Sequence, residues 1–141
     1  MRVDNWDVRL FHWGESVRGK PFSWGSTDCA SLVIAAMEVM YGVDVFPQVD
    51  RWKSLRKAVR VLHDVGSICD LFGAHGATSV PIAYAQSGDI LCAPGLDGDD
   101  LPRLGVMVNG WVIFSQKKHG VLFSGPELVE DGTEVWRMPN G

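Results

Sequence analysis

Apolar residues in the first half of the chain recur at the spacing of amphipathic helices. From Trp6 to Val17 they follow one another at intervals of three and four, and Asp4 stands at a suitable N-cap position. A second helix is predicted after Thr27 or Asp28, either of which could cap it, and Gly42 would end it. The pattern predicts helices over about 4–17, 29–41, 51–64 and 68–72.

The second half has the pattern of strands joined by tight turns. Asn109-Gly110 between two apolar runs is the strongest short hairpin signal in the chain. The segment 73–79 consists mostly of small residues, which favour flexibility, and is predicted as a loop. Strands are predicted over about 88–93, 104–108, 111–114, 120–123 and 134–138. Helices followed by an antiparallel five-stranded sheet make an α+β fold.

Length and composition fit a single domain over 1–141, with a helical half at about 1–85 and a sheet half at about 86–141. Apolar residues make up 46% of the 141 residues, and the formal net charge is −4. This acidic balance argues against nucleic-acid and anionic-membrane binding. The longest apolar run, Leu32 to Met37, is too short for a membrane span, and residues 1–10 lack the apolar segment of a signal peptide. We therefore expect synthesis in the cytoplasm.

The cysteines and histidines do not form a metal-binding pattern. Cys29, Cys69 and Cys92 contain no CxxC pair, so neither a zinc knuckle nor a disulfide framework is expected. No histidine pair has the spacing of metal ligands. The sequence predicts no metal and no cofactor.

Cys29 is the strongest candidate for a nucleophile. It falls in the first turn of a predicted helix, where unpaired N–H groups and the helix dipole favour a thiolate. The alternative is a buried structural cysteine, the commoner role of a lone Cys. The preceding Asp28 fits a helix cap better than a catalytic role, and its negative charge would oppose thiolate formation.

Three segments around these residues resemble the NlpC/P60 cysteine peptidases. The segment Phe22–Val33, FSWGSTDCASLV, resembles the family's tryptophan, glycine and D-C-S-G-L-V motif. Gln86–Leu91, QSGDIL, resembles its first strand, and Leu104–Gly110, LGVMVNG, resembles its hairpin. The three occur in family order, and the nearest likeness is to short NlpC/P60-like proteins of tailed phages and prophages. Those proteins share the PFxWGxxDCA segment and a C-terminal xxWRxP ending.

The resemblance implies a papain-like fold with Cys29 as nucleophile, Trp24 in the loop that lines the cleft, and a histidine base supplied by the sheet. The alignment instead puts Arg103 at the histidine position and the third polar residue near Phe114 or Ser115. A guanidinium stays protonated and cannot act as the base, although it could lower the pKa of Cys29.

The chain has four histidines that could replace the missing base. His119 could reach the cleft if its strand neighbours the site, or could be an exposed residue at a strand start. His75 lies in the predicted loop and could swing over the cleft. His12 and His63 fall on predicted helices and fit helix faces better.

These features favour a virion protein, made in the bacterial host and assembled into a phage tail tip with other tail proteins, in which catalysis is lost. The alternative is an active cysteine peptidase that cuts stem peptides of peptidoglycan during entry. A third possibility is an unrelated α+β domain with a structural cysteine.

Overall fold

The structure is a computed structural model that describes residues 1–64, 68–93 and 103–139, with the side chains of residues 62–64, 68 and 69 outside the description. The prediction for His63 and the expectation for the Cys69 thiol therefore fall outside the described part. Within it, no helix combines the length and apolar character needed to cross a bilayer.

Two N-terminal helices follow the predicted bounds closely. Helix α1 spans Trp6–Val17, and helix α2 spans Cys29–Tyr41. Asp28 caps α2 by accepting a hydrogen bond from the Ser31 N–H, and Gly42 ends it at φ 72°. The Asp4 cap is wrong: the N-cap position is Asn5, at φ 59°, which makes no side-chain cap bond within the described chain.

Helices α3, Leu55–Asp64, and α4, Ile68–Ala74, complete the helical half. Helix α3 begins four residues later than predicted, because Trp52 belongs to the preceding segment and is buried there. Its buried face includes Ala58 and Val61, whereas Val59 is exposed. The sequence spacing of Trp52, Leu55, Val59 and Leu62 predicts a single apolar stripe on this helix, and that prediction is wrong for Val59.

The sheet has six strands rather than five, in the order β1-β6-β2-β3-β4-β5. The strands are β1 Thr78–Val80, β2 Ile90–Ala93, β3 Arg103–Val108, β4 Trp111–Gln116, β5 Gly120–Ser124 and β6 Glu134–Arg137. Every hydrogen-bonded pair of described strands is antiparallel. The predicted loop over 73–79 overlaps β1, which a local pattern misses because its partner β6 lies more than fifty residues away.

The β3–β4 hairpin turns at Asn109-Gly110, as predicted, with φ 50° and 85°. Both positive angles are those of a type I′ turn, the two-residue turn that matches the twist of paired strands. This turn fixes the register, in which Val108 faces Trp111 and Val106 faces Ile113.

The sheet separates a large core from a small one. Helices α1 and α2 pack against one face, through residues such as Leu10, Met37 and Val106. The other face carries a cluster of Leu91, Met107, Val112 and Val135. Alternation along β3 therefore sends Leu104, Val106 and Val108 towards the helices and the residues between them to the opposite face.

Cys92 departs from the sequence expectation. It is 2% exposed on β2 and is disulfide-bonded. The expectation that the cysteines form no disulfide framework is wrong for this residue, whereas Cys29 keeps its thiol.

Candidate functional site

The loop before Cys29 is held by its own backbone and one hydroxyl. The N–H groups of Thr27 and Asp28 both donate to the Ser23 carbonyl, at 2.9 and 3.2 Å. The Thr27 hydroxyl donates to the Pro21 carbonyl at 2.7 Å. These bonds close the chain into a compact turn that delivers Asp28 to the start of α2.

The Asp28 carboxylate is the organising group of this loop. It is 3% exposed and accepts four hydrogen bonds. Oδ2 accepts from the Gly25 N–H at 2.6 Å, the Ser31 hydroxyl at 2.7 Å and the Trp52 indole N–H at 3.1 Å. Oδ1 accepts from the Ser31 N–H at 3.0 Å. One side chain thereby ties together the loop, the first turn of α2 and the segment before α3.

Gly25 lets the loop approach the Trp52 segment. Its φ is +83°, and a Cβ there would lie 1.8 Å from the Trp52 carbonyl oxygen. Only glycine fits, because the angle is left-handed and the neighbouring backbone occupies the side-chain space. The tryptophan-glycine motif found in the sequence is therefore explained by a close contact between two backbone segments.

Cys29 lies at the first position of α2, partly buried against the large core. Burial, followed by the negative charge of Asp28, raises the pKa of its thiol from 9.0 to about 11. Backbone N–H groups of Leu104, Ala30 and Cys29 itself act in the opposite direction but do not outweigh burial. The group is therefore a neutral thiol near pH 7, and the helix start alone does not produce a thiolate.

Arg103 is not beside the thiol as its alignment with the family's histidine implied. Its side chain turns to the other face of the sheet, where it forms an ion pair with Glu130 and lines an open cavity. It is not among the groups that shift the pKa of Cys29. The expectation that Arg103 could lower that pKa is not met.

Trp24 lies in the loop before Cys29, whereas Ser115 has no evident role at this site. Trp24 is half-buried, packs edge-on against Phe22 at 4.8 Å between ring centroids and lies under the Lys117 ammonium. Ser115 lies on the helix-facing side of β4, two residues beyond Ile113. Its hydroxyl is buried and has no hydrogen-bond partner among the described residues.

The histidines whose side chains are described do not act on the thiol. His119 is exposed in the turn before β5, beside the loop that contains Trp24. His75 bonds the Leu71 carbonyl through Nδ1 and the Gln48 amide through Nε2, both at 2.9 Å, and does not swing over the cleft. His12 is exposed on α1. None of the three appears among the groups that shift the pKa of Cys29.

A second buried carboxylate joins the Gln86–Leu91 segment to the C-terminal WRxP ending. Asp89 is fully buried and forms a two-point ion pair with Arg137, Nε to Oδ1 at 2.9 Å and a terminal nitrogen to Oδ2 at 2.8 Å. Oδ2 also accepts from the Gln86 N–H, and Arg137 donates to the Tyr84 carbonyl. The Gly88-Asp89 and Trp136-Arg137 segments thus form one structural clamp between β2 and β6.

Comparison with known protein families gives one match. A family model described as a domain of unknown function, DUF6950, covers residues 1–138. The chain belongs to the DUF6950 family. No curated protein matches it.

Two groups in this DUF6950 chain escaped the sequence analysis. The Trp52 indole N–H donates to Asp28, which is 24 positions away in the sequence. The Leu104 N–H hydrogen-bonds to Cys29 over a longer sequence separation. Neither has a local signal, because both contacts depend on how the segment before α3 and strand β3 pack against the start of α2. Within the described part of the chain, no group of three His, Cys, Asp or Glu side chains is placed to hold a metal ion.

Proposed function

We propose that this protein is a structural component of a phage tail tip, built on a papain-like fold of the NlpC/P60 type and no longer catalytic. The observation that carries the proposal is the state of Cys29. Its thiol pKa is raised to about 11, and none of the histidines whose side chains are described is among the groups acting on it. A cysteine peptidase needs the opposite arrangement, a thiolate paired with an imidazole that later protonates the leaving group.

The motif carboxylates support the same conclusion. Asp28 and Asp89 are buried and committed to hydrogen bonds that hold the chain together. The tail assignment rests on the likeness of the Pro21–Ala30 segment and the C-terminal ending to short tail proteins. Together these features are those of a retained scaffold whose chemistry has been lost.

An enzymatic and a genetic experiment test the proposal. Purified wild type and Cys29→Ala are incubated with peptidoglycan, and released stem-peptide fragments are measured by mass spectrometry. We expect no release by either protein. Phage carrying Cys29→Ala should remain infectious, whereas phage lacking the gene should be tailless or non-infectious. Fragment release by wild type that Cys29→Ala abolishes would overturn the proposal.

An active peptidase is the second candidate, and one observation favours it. The N–H groups of Leu104, Ala30 and Cys29 act to lower the thiol pKa, so a thiolate formed there would be hydrogen-bonded. His119, on the turn beside the Trp24 loop, would then have to serve as the base. This candidate requires that His119→Ala abolish fragment release as completely as Cys29→Ala does, while His12→Ala leaves it unchanged.

A further inference from the structure

An open cavity lies away from the Cys29 region, on the sheet face opposite α1 and α2. Its volume is about 230 Å³. The floor is formed by side chains of the sheet, including Leu91, Val112 and Phe114, and one wall by the segment from Leu128 to Thr133. The proposed scaffold role does not use this cavity.

Small residues keep the cavity open. Gly105 has no side chain over the floor, and a Cβ there would lie 3.0 Å from Val112 Cγ1 and 3.2 Å from the Ile113 carbonyl oxygen. Ala93 contributes only a methyl group at the end of β2. Cofactor and drug-sized pockets measure about 300–1,000 Å³, so this cavity fits a ligand with a single side chain rather than a nucleotide or a flavin.

Among the described residues that line the cavity, one carries a positive charge and one a negative charge. Arg103 and Glu130 both line it and form an ion pair, with side chains 44% and 47% exposed. A ligand with only a carboxylate would meet repulsion from Glu130, and one with only an ammonium would meet repulsion from Arg103. A ligand that carries both charges close together complements both groups.

We propose that this cavity binds a free α-amino acid with an apolar side chain. The α-carboxylate pairs with Arg103, the α-ammonium pairs with Glu130, and the side chain packs on the floor of Val112 and Phe114. Because both ion pairs are exposed to solvent and the buried side chain is small, the dissociation constant is expected on the order of 1 mM.

The ligand chemistry is tested by NMR titration of the ¹⁵N-labelled protein. L-leucine and L-phenylalanine should shift cavity amide signals, such as that of Gly105, in a saturable way. N-acetyl-L-leucine lacks the ammonium, L-leucinamide lacks the carboxylate, and glycine lacks the side chain. Each should bind about fivefold more weakly or worse, the factor that corresponds to one lost exposed contact. Binding of any of the three as tight as that of leucine would overturn the proposal.

Variants locate the site. Arg103→Gln and Glu130→Gln should each weaken leucine binding about fivefold or more, while Lys118→Gln, which removes an exposed charge from the turn before β5, should leave it unchanged. Ala93→Phe should abolish binding by filling the floor. Thermal melting checks that each variant folds, and if Ala93→Phe does not, the two rim variants decide. Absence of saturable shifts in the wild type, or equal weakening by Lys118→Gln, would refute the site.

Discussion

Removal of the Asp28 carboxylate should lower the free energy of unfolding by more than the substitution of an exposed acidic residue does. In Asp28→Ala the α2 cap loses about 1 kcal/mol. The Trp52 indole N–H is left buried without an acceptor, at about 2 kcal/mol, and the partly buried Gly25 N–H adds about 1 kcal/mol. We expect the free energy of unfolding to fall by about 4 kcal/mol in total, a large share of the 5–15 kcal/mol typical of a domain.

The measurement is urea unfolding followed by tryptophan fluorescence, with the slope against urea checked for constancy. Asp28→Asn keeps one oxygen and should cost about half as much as Asp28→Ala. Asp50→Ala, at an exposed position in a loop, is the matched control and should change stability by less than about 0.5 kcal/mol.

A double-mutant cycle isolates the contact with the indole. In a Trp52→Phe background no indole donor is stranded, so Asp28→Ala should cost about 1–2 kcal/mol less than in the wild type. A loss below about 1 kcal/mol for Asp28→Ala, or equal losses in the two backgrounds, would show that the carboxylate does not hold these segments together.

Three further outcomes are expected. Because the pKa of Cys29 is raised to about 11, its alkylation by iodoacetamide at pH 8 should be about 100-fold slower than that of a thiol with a pKa of 9.0. The alkylation rate, measured by mass spectrometry, should rise with pH up to pH 11. A midpoint of this pH dependence near pH 9 would contradict the raised pKa. Gly25→Ala should cost well over 2 kcal/mol in urea unfolding, whereas Gly132→Ala, at nearly the same φ but in open space, should cost about 1 kcal/mol; equal losses would exclude the backbone clash. Arg137→Met leaves the buried Asp89 carboxylate without its cationic partner and should lower the free energy of unfolding by about 3–5 kcal/mol. If this loss disappears in an Asp89→Asn background, the pairing is confirmed, and if it is undiminished there, the pairing is refuted.

The sequence predicted those elements whose causes are local. Helix α2 matched at both ends because Asp28 and Gly42 are strong cap signals, and the Asn109-Gly110 turn matched because few residues adopt two successive positive φ angles. Strand β1 was missed because a three-residue polar strand has no pattern of its own. Its existence depends on pairing with β6.

The site was predicted only in part, for a related reason. The sequence showed that Cys29 begins a helix, but the effect of burial on its pKa depends on β3 packing over the helix start, which no local pattern reports. For Arg103, the alternation of apolar Leu104, Val106 and Val108 was enough to predict the face of the sheet on which it lies. If these three face the helices, a residue one position earlier begins on the other face of the sheet.

Asp28 and Asp89 lie in the two segments that resemble peptidase motifs around a D-C and a G-D pair, and their presence can be explained by folding alone. Each lies at the start of an element and accepts hydrogen bonds from partners far away in the chain, the Trp52 indole in one case and the Arg137 guanidinium in the other. Loss of either carboxylate would strand buried polar groups, so folding alone gives a reason for both to stay. A decisive test of function must therefore change the thiol and leave the two carboxylates intact, as Cys29→Ala does.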